Sequence, residues 1–310
     1  PDATRLAAAI KSAAETDVKP YVEVAAGQSL LDELPKPGPV VRTRTRDAFG
    51  VTEWELSNGV KVILKPTDFR QDEVIFRATS PGGTSLASDK DFVAAMTAPQ
   101  VIGAGGVGKF DVIQLRNILS GKAVSVRAFI DDTDEGIAGG GSPKDLETMF
   151  QLIYLTVTRP RADATVFGVI TSQTKAMLAS QQVSPEWVFG QALRAATTQD
   201  HFRARPMTPE LVAEMDLQKS LTFYKDRFAD ASDFTFVFAG SFDLPTIKPL
   251  VERYLGSLPS LHRKETWRNV GITPPKGVVE KTVRKGIEPK SQAAIVFTGP
   301  FLFDSPHQVT

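Results

Sequence analysis

The stretch Trp54 to Pro66 does most to limit what this chain can fold into. Trp54, Leu56, Val60, Val62 and Leu64 fall on one face around Ser57-Asn58-Gly59, and Asn-Gly supplies the positive φ angles of a tight hairpin. A compact domain therefore starts near Val51. Glu73 to Ser80 continues as a strand, with Val74, Phe76 and Ala78 alternating against charged or polar neighbours.

From Asp89 the period becomes helical. Phe92, Val93, Met96 and Val101 form a helix that runs, past Pro99, into the glycine-rich stretch at Gly103, and Asp111 caps a second helix over Val112 to Leu119. Strands follow at Lys122 to Ile130 and around Gly136 to Gly139. Ser142-Pro143-Lys144-Asp145 reads as a capping box with proline at the first helical position, opening a helix over Leu146 to Val157. Asp163 begins a helix to about Ser180, and Pro185 and Pro209 each open another. Asp233 to Gly240, with Phe234, Phe236 and Phe238, is a buried strand, and the helix after it reaches Tyr254 with Gly256 as its cap.

The ends read differently. Residues 1 to 15 form an Ala-rich helix capped by Asp2, and residues 17 to 48 a proline-punctuated connector with a short helical stretch at Ser29 to Leu34. Pro35-Lys36-Pro37-Gly38-Pro39 cannot be helical and lies along a surface. After Pro259 the composition turns charged and proline-rich, and strands are expected at Gly277 to Lys285 and Gln292 to Phe297. The expected organisation is thus a helix and extended linker over 1–48, an α/β domain over 49–262, and the incomplete start of a second domain over 263–310. About 50 residues are too few to bury a core alone. The chain starts with Pro1 rather than Met and reads as a piece of a longer one.

Composition serves mainly to exclude. Lys plus Arg and Asp plus Glu each number 36, so no long-range field draws the chain to nucleic acid or an anionic membrane. No apolar run approaches the roughly 20 residues of a membrane helix, and no signal peptide opens the chain. Cysteine is absent, which removes disulfides and thiolate zinc sites and leaves cytoplasm and periplasm both open.

The ordered set of motifs resembles the M16 metallopeptidases, the insulin-degrading-enzyme, pitrilysin and processing-peptidase family. The residues that carry the resemblance are Trp54 through Val62, Lys65-Pro66-Thr67-Asp68-Phe69, Ser80-Pro81-Gly82-Gly83-Thr84-Ser85, Gly106-Val107-Gly108-Lys109-Phe110, Leu119-Ser120-Gly121-Lys122, Asp145-Leu146-Glu147-Thr148 and Phe238-Ala239-Gly240-Ser241-Phe242, in family order over about Val51 to Pro300. The resemblance implies an α+β fold, a LuxS/MPP-like metallohydrolase two-layer sandwich with a mostly antiparallel sheet and helices packed on one face.

In that family two homologous halves enclose a chamber, and only the N-terminal half carries the zinc motif His-x-x-Glu-His with a glutamate ligand on a later helix. Two histidines four apart hold the metal, and the glutamate between them activates water. Here the corresponding helix reads Asp91-Phe92-Val93-Ala94-Ala95-Met96-Thr97-Ala98-Pro99, and the later segment, Ala164 to Pro185, contains no Asp or Glu. His201, His262 and His307 are isolated from one another in sequence. The resemblance therefore implies the non-catalytic C-terminal half of a bacterial periplasmic zinc endopeptidase. No catalytic or metal residue is expected in this chain, the substrate-binding residues are unknown, and zinc belongs to the parent's N-terminal half. The expected partners are that catalytic half, on the same chain or as a separate subunit, and peptide substrates, with no nucleic acid and no membrane span. The alternative is a stand-alone, non-catalytic binding or assembly subunit.

Several local patterns imitate other sites. Gly103 to Gly108 fits G-x-G-x-x-G with Asp131 downstream, and nearly makes a P-loop through Lys109, but it follows a helix and Phe110 replaces the magnesium-binding Ser/Thr. A turn between helices is the expected reading. Gly139-Gly140-Gly141 could form an anion nest, though such a run commonly turns a strand into a helix. Arg159, Arg161, Arg203 and Arg205 are expected on solvated faces. Asp131, Asp132, Asp134 and Glu135 lack calcium-loop spacing and read as a polar hairpin loop.

Overall fold

A computed structural model describes residues 28–299 and, before them, residues 2, 5, 7, 8, 11 and 12. The helix expected over residues 1 to 15 falls largely outside the described residues. Among these residues seven strands form one sheet: β1 (Val40–Arg46), β2 (Val51–Leu56), β3 (Lys61–Pro66), β4 (Val74–Pro81), β5 (Val124–Ile130), β6 (Asp134–Gly141) and β7 (Thr235–Gly240). Their order is β1-β2-β3-β7-β4-β6-β5, antiparallel throughout except where β3 meets β7.

The expected hairpin is β2–β3, with Trp54 opposite Val62. Gly59 adopts φ +93° at its turn, and the Asn58 amide donates to the carbonyls of Leu255 (2.8 Å) and Leu258 (3.1 Å). The turn is thereby tied to the far end of the chain's folded part.

Alternation sorts the sheet into two faces. Trp54, Leu56, Val62, Leu64, Val74, Phe76, Ala78, Phe236 and Phe238 are buried, whereas Ile75, Arg77 and Val237 on the other face are exposed. The buried face packs against α1 (Phe92–Gly103), α3 (Leu146–Thr158) and their neighbours. Between α1 and α3 lies α2 (Val112–Ile118); then come α4 (Ala164–Gln181), α5 (Pro185–Thr197), α6 (Pro209–Ala213), α7 (Leu217–Arg227) and α8 (Leu244–Leu250), the last continuing as a π turn over Val251–Leu255. A chain of rings runs through the core, Phe76–Phe238 at 5.5 Å, Phe150–Phe238 at 5.3 Å and Phe150–Tyr254 at 6.4 Å. Such stacked pairs each add about 0.5–1.5 kcal/mol beyond the area they bury.

The helix starts follow their caps. Asp111 makes a capping box with Gln114, and Asp163, Ser184, Thr208, Asp216 and Asp243 each accept from a first-turn N–H. The expected Ser142 box is made differently: the Ser142 hydroxyl donates to the Asp145 carboxylate (2.6 Å), which accepts the Ala123 N–H. Asp216 restarts the chain after α6, so the single helix expected from Pro209 is two.

Three further differences concern the ends. Ser29 to Leu34 is not helical, although Leu30 is buried with Val107, Phe110, Leu152 and Leu155. Residues 40–46, expected in the connector, form edge strand β1. Its Val-Val-Arg-Thr-Arg-Thr-Arg sequence lacks apolar alternation because nearly every position is exposed. The connector reaches β1 through a close crossing, in which a Cβ on Gly38 would stand 2.2 Å from the Gly256 carbonyl oxygen, and the Gly38 N–H donates to Glu252 O. Finally, the strands expected at Gly277 to Lys285 and Gln292 to Phe297 do not form. Residues 259–299 hold no regular element, since no strand lies beside them to complete a ladder.

Candidate functional site

The helix that the family resemblance aligns with a metal site is α1, and its side chains are taken up in packing and local hydrogen bonds. The spacing i, i+3, i+4 from the start of α1 reads Asp91, Ala94, Ala95. Ala94 and Ala95 are buried, Ser220 of α7 donates its hydroxyl to Ala94 O (2.8 Å), and Thr97 donates to Val93 O (2.8 Å). Asp91 accepts from Ser88 (2.6 Å) and pairs with Lys219 (2.9 Å), and the Ser88 hydrogen bond leads in holding its carboxyl below the ordinary range. Among the described residues no group of three or more His, Asp or Glu side chains is placed to hold a metal ion. His201 accepts the Arg203 N–H (3.3 Å), His262 contacts Ser260 (3.3 Å), and His307 lies outside the described residues.

Beside α1 a groove of about 360 Å³ runs along β5, lined by Ile102, Val107, Leu115, Val126, Arg127 and Tyr224 among others. That volume is near the lower end for ligand sites. β5 is one edge of the sheet, and no described strand pairs with its outer side. The groove's floor is apolar and its flank offers unpaired strand backbone, an arrangement that can accept an extended chain by strand addition.

The glycine-rich stretch at the groove's end cannot serve as a phosphate loop. Gly105 N–H donates to Ile102 O, Val107 N–H to Phe110 O and Gly108 N–H to Arg159 O, so these amides are already used. Lys109 is paired with Asp32. Likewise Gly139 to Gly141 lies within β6, paired on one side with Val74 to Phe76 and on the other with Val124 to Val126. No nest is left there.

Two sequence expectations need correction. Arg203 is not on a solvated face: it is buried, and its guanidinium donates to Thr84 O (3.0 Å), Ala87 O (2.8 Å) and Asp89 (2.7 Å). Arg161 likewise turns inward, to Gly105 O (2.6 Å) and Asp163 (3.0 Å), whereas Arg205 pairs with Glu214 near the surface. In the acidic run only Asp131 to Thr133 is loop; Asp134 and Glu135 belong to β6, and Glu135 is buried.

Glu135 joins a second polar centre that the sequence reading missed. It accepts the Gly83 N–H and stands 3.8 Å from Arg227 Nη1, both side chains being at most 3% exposed. Arg227 also pairs with Asp226 and with Glu265 (3.1 Å). Burial pushes the Glu135 carboxyl up to about 7, against the opposing pull of the Gly83 N–H and the Arg227 charge. Burial likewise raises Asp233, whose Oδ1 is buried without a hydrogen-bond partner. Helical spacing could have pointed to this centre, because Ser220, Tyr224 and Arg227 share the buried face of α7.

Comparison with known proteins agrees with the architecture. Residues 214–309 match the family described as the Peptidase M16 inactive domain. A zinc protease PQQL-like protein of Arabidopsis thaliana is 26% identical over 246 residues, covering 79% of this chain and 23% of that protein. The probable zinc protease PqqL of Haemophilus influenzae is 26% identical over 223 residues, covering 72% of this chain and 24% of that protein. The chain thus spans about a quarter of the length of these curated relatives. The crystal structure of the periplasmic protease PqqL from Escherichia coli superposes with a TM-score of 0.69 at 19% identity, over 89% of this chain and 30% of that one, a likeness of fold. Residues 214–309 thus carry the Peptidase M16 inactive domain, and most of the chain is similar in sequence to zinc proteases of the PqqL type and shares their fold.

Proposed function

We propose that this chain is a non-catalytic part of an M16 zinc endopeptidase, forming part of the wall that encloses the peptide while zinc and the water-activating glutamate reside in a catalytic N-terminal half. The observation that carries this reading is α1, where buried Ala94 and Ala95 and the Ser220 hydroxyl occupy the space that ligands would need. The groove along β5 supports a direct part in binding, an extended peptide adding as a strand with Arg127 beside it. In this reading residues 263–310 begin a second unit of the same kind. A periplasmic site of action accords with that of the Escherichia coli relative, a periplasmic protease.

The test is elemental analysis of the purified chain after exhaustive dialysis, paired with a peptide-hydrolysis assay with and without the catalytic half. Zinc near zero, no hydrolysis alone, and cleavage that rises when this chain joins a half bearing His-x-x-Glu-His is the expected pattern. One tightly held zinc per chain would sink it. If no such half is encoded with this chain and the chain binds another protein without cleaving it, the assembly-subunit reading replaces this one.

A further inference from the structure

The chain leaves the folded body along an extended strap, residues 261–268, whose attachments are almost all polar. Leu261 N–H and Arg263 N–H donate to Asp230, the Arg263 guanidinium to Asp226 O (3.1 Å) and Oδ1 (3.0 Å), and Glu265 receives Arg227. Farther on, the Arg268 N–H donates to Ser85 Oγ (2.9 Å) and its guanidinium to Leu86 O (2.6 Å). Ser85 itself donates to Gly82 O, beside the Gly83 N–H that Glu135 receives. Glu135 and the strap therefore grip the same arginine and the same turn.

We propose that residues 261–268 form a proton-dependent clasp, docked on Arg227 through Glu265 while Glu135 holds its proton and loosened when Glu135 ionises.

The charge count around Arg227 gives the mechanism. The charged groups facing it are Glu135 from β6, Asp226 from α7 and Glu265 from the strap, with Arg263 paired to the same two strap and helix carboxylates; Asp233, in the turn before β7, acts on Glu135 and Glu265, Asp230 holds the strap's N–H groups and His262 lies at its start. With Glu135 neutral, the Arg227 charge is shared between Asp226 and Glu265. With Glu135 ionised, a third carboxylate competes for Arg227 and repels Glu265, and undocking relieves this by admitting water to Glu135. Burial raises the Glu135 carboxyl in the docked state to about 7, so the docked state binds the extra proton. Docking is then strongest below the ordinary carboxyl range, weakens as pH rises toward 7, and levels off above it. Asp226 and Asp230 are both held below the ordinary range, although burial alone would raise them, because their guanidinium and N–H partners outweigh it; their titration lies at the acid end, outside this window. The consequence is mechanical, because this clasp is the first attachment of the segment that runs on past 268, the next being Gln199, whose side-chain amide donates to Thr273 and Pro274.

The experiment is hydrogen exchange read by mass spectrometry on the 310-residue chain between pH 5 and 8, corrected for the intrinsic pH dependence of exchange. Protection of amides in 261–274 should fall about tenfold or more between pH 5 and 7.5, while amides of β6 and β7 stay protected, since one unit of pKa difference is tenfold in equilibrium. Glu135→Gln should hold the strap protected at every pH, and Glu265→Gln should leave it poorly protected at every pH. Asp233→Asn and His262→Gln should keep the wild-type dependence. The clasp is overturned by strap protection that ignores pH, by a dependence that survives Glu135→Gln, or by one that disappears with Asp233→Asn or His262→Gln. Should Glu135→Gln fail to fold, as β7 exchange would reveal, the wild-type profile and Glu265→Gln decide: a strap still protected in Glu265→Gln overturns the clasp.

Discussion

Asn58 does two jobs that sequence reasoning separates. Its place before Gly59 sets the hairpin turn, which the sequence announces; its amide also satisfies the Leu255 and Leu258 carbonyls, from nearly two hundred residues away, which no local pattern announces. Asn58→Ala should therefore cost about 1–3 kcal/mol, the penalty for stranding buried acceptors, measured as a lower urea midpoint at unchanged slope. Asp230 makes the complementary acid prediction. Burial would raise its carboxyl, but three N–H donors, from Arg263, Ser232 and Leu261, hold it at about 2. The stability it contributes is present above the ordinary carboxyl range and is lost as pH falls toward 2. Asp230→Asn should thus be less stable than the parent at pH 7, the gap closing between pH 4 and 2 in parallel denaturant titrations. Asp230 could not be singled out beforehand, because a charged residue just past a helix end is ordinarily solvated and two of its N–H partners, Leu261 and Arg263, come about thirty residues later.

At the scale of elements, the legible parts were those whose signal is local. Periodicity located α1, α3 and α4 and strands β2 to β7 to within a few residues, and side-chain caps fixed most helix starts. Asp111→Ala should cost about 1 kcal/mol and fray α2 first, visible as faster exchange at Ile113 and Gln114, whose N–H groups it accepts. What stayed hidden has a common cause, namely that edges and attachments depend on neighbours. β1 carries no apolar alternation because a charged edge strand needs none, and Arg side chains there discourage stray pairing. Conversely, Gly277 to Lys285 and Gln292 to Phe297 carry good strand composition and remain extended, with Val278 and Phe297 about nine-tenths exposed. In a longer chain that carries sequence beyond Thr310, those two segments should gain slow-exchanging amides; if they stay unprotected there, they are not the start of a second sheet.

For the whole molecule, resemblance and fold were readable because the M16 likeness rests on many short motifs in a fixed order, most of them at turns or at the ends of elements. The helix that the resemblance aligns with a metal site was located by its period, as α1. Its packed contact with α7 was not legible, since Ser220 lies far along the chain from Ala94.

The order of the sheet carries one more consequence, and it concerns time. β7 lies in the middle, with β1, β2 and β3 on one side and β4, β6 and β5 on the other, and it pairs with both β3 and β4. Between Pro66 and Thr235 the ribosome must work for roughly 10–30 s at ordinary elongation rates before that strand exists. Until then the first hairpin and the β4–β6–β5 group have no edge in common, and their phenylalanine-bearing faces wait for Phe236 and Phe238. A nascent chain stalled before Thr235 should accordingly present two unjoined sheets with exposed edges, open to chaperones and to other nascent chains, whereas release only a few residues beyond Gly240 should lock them together in one step.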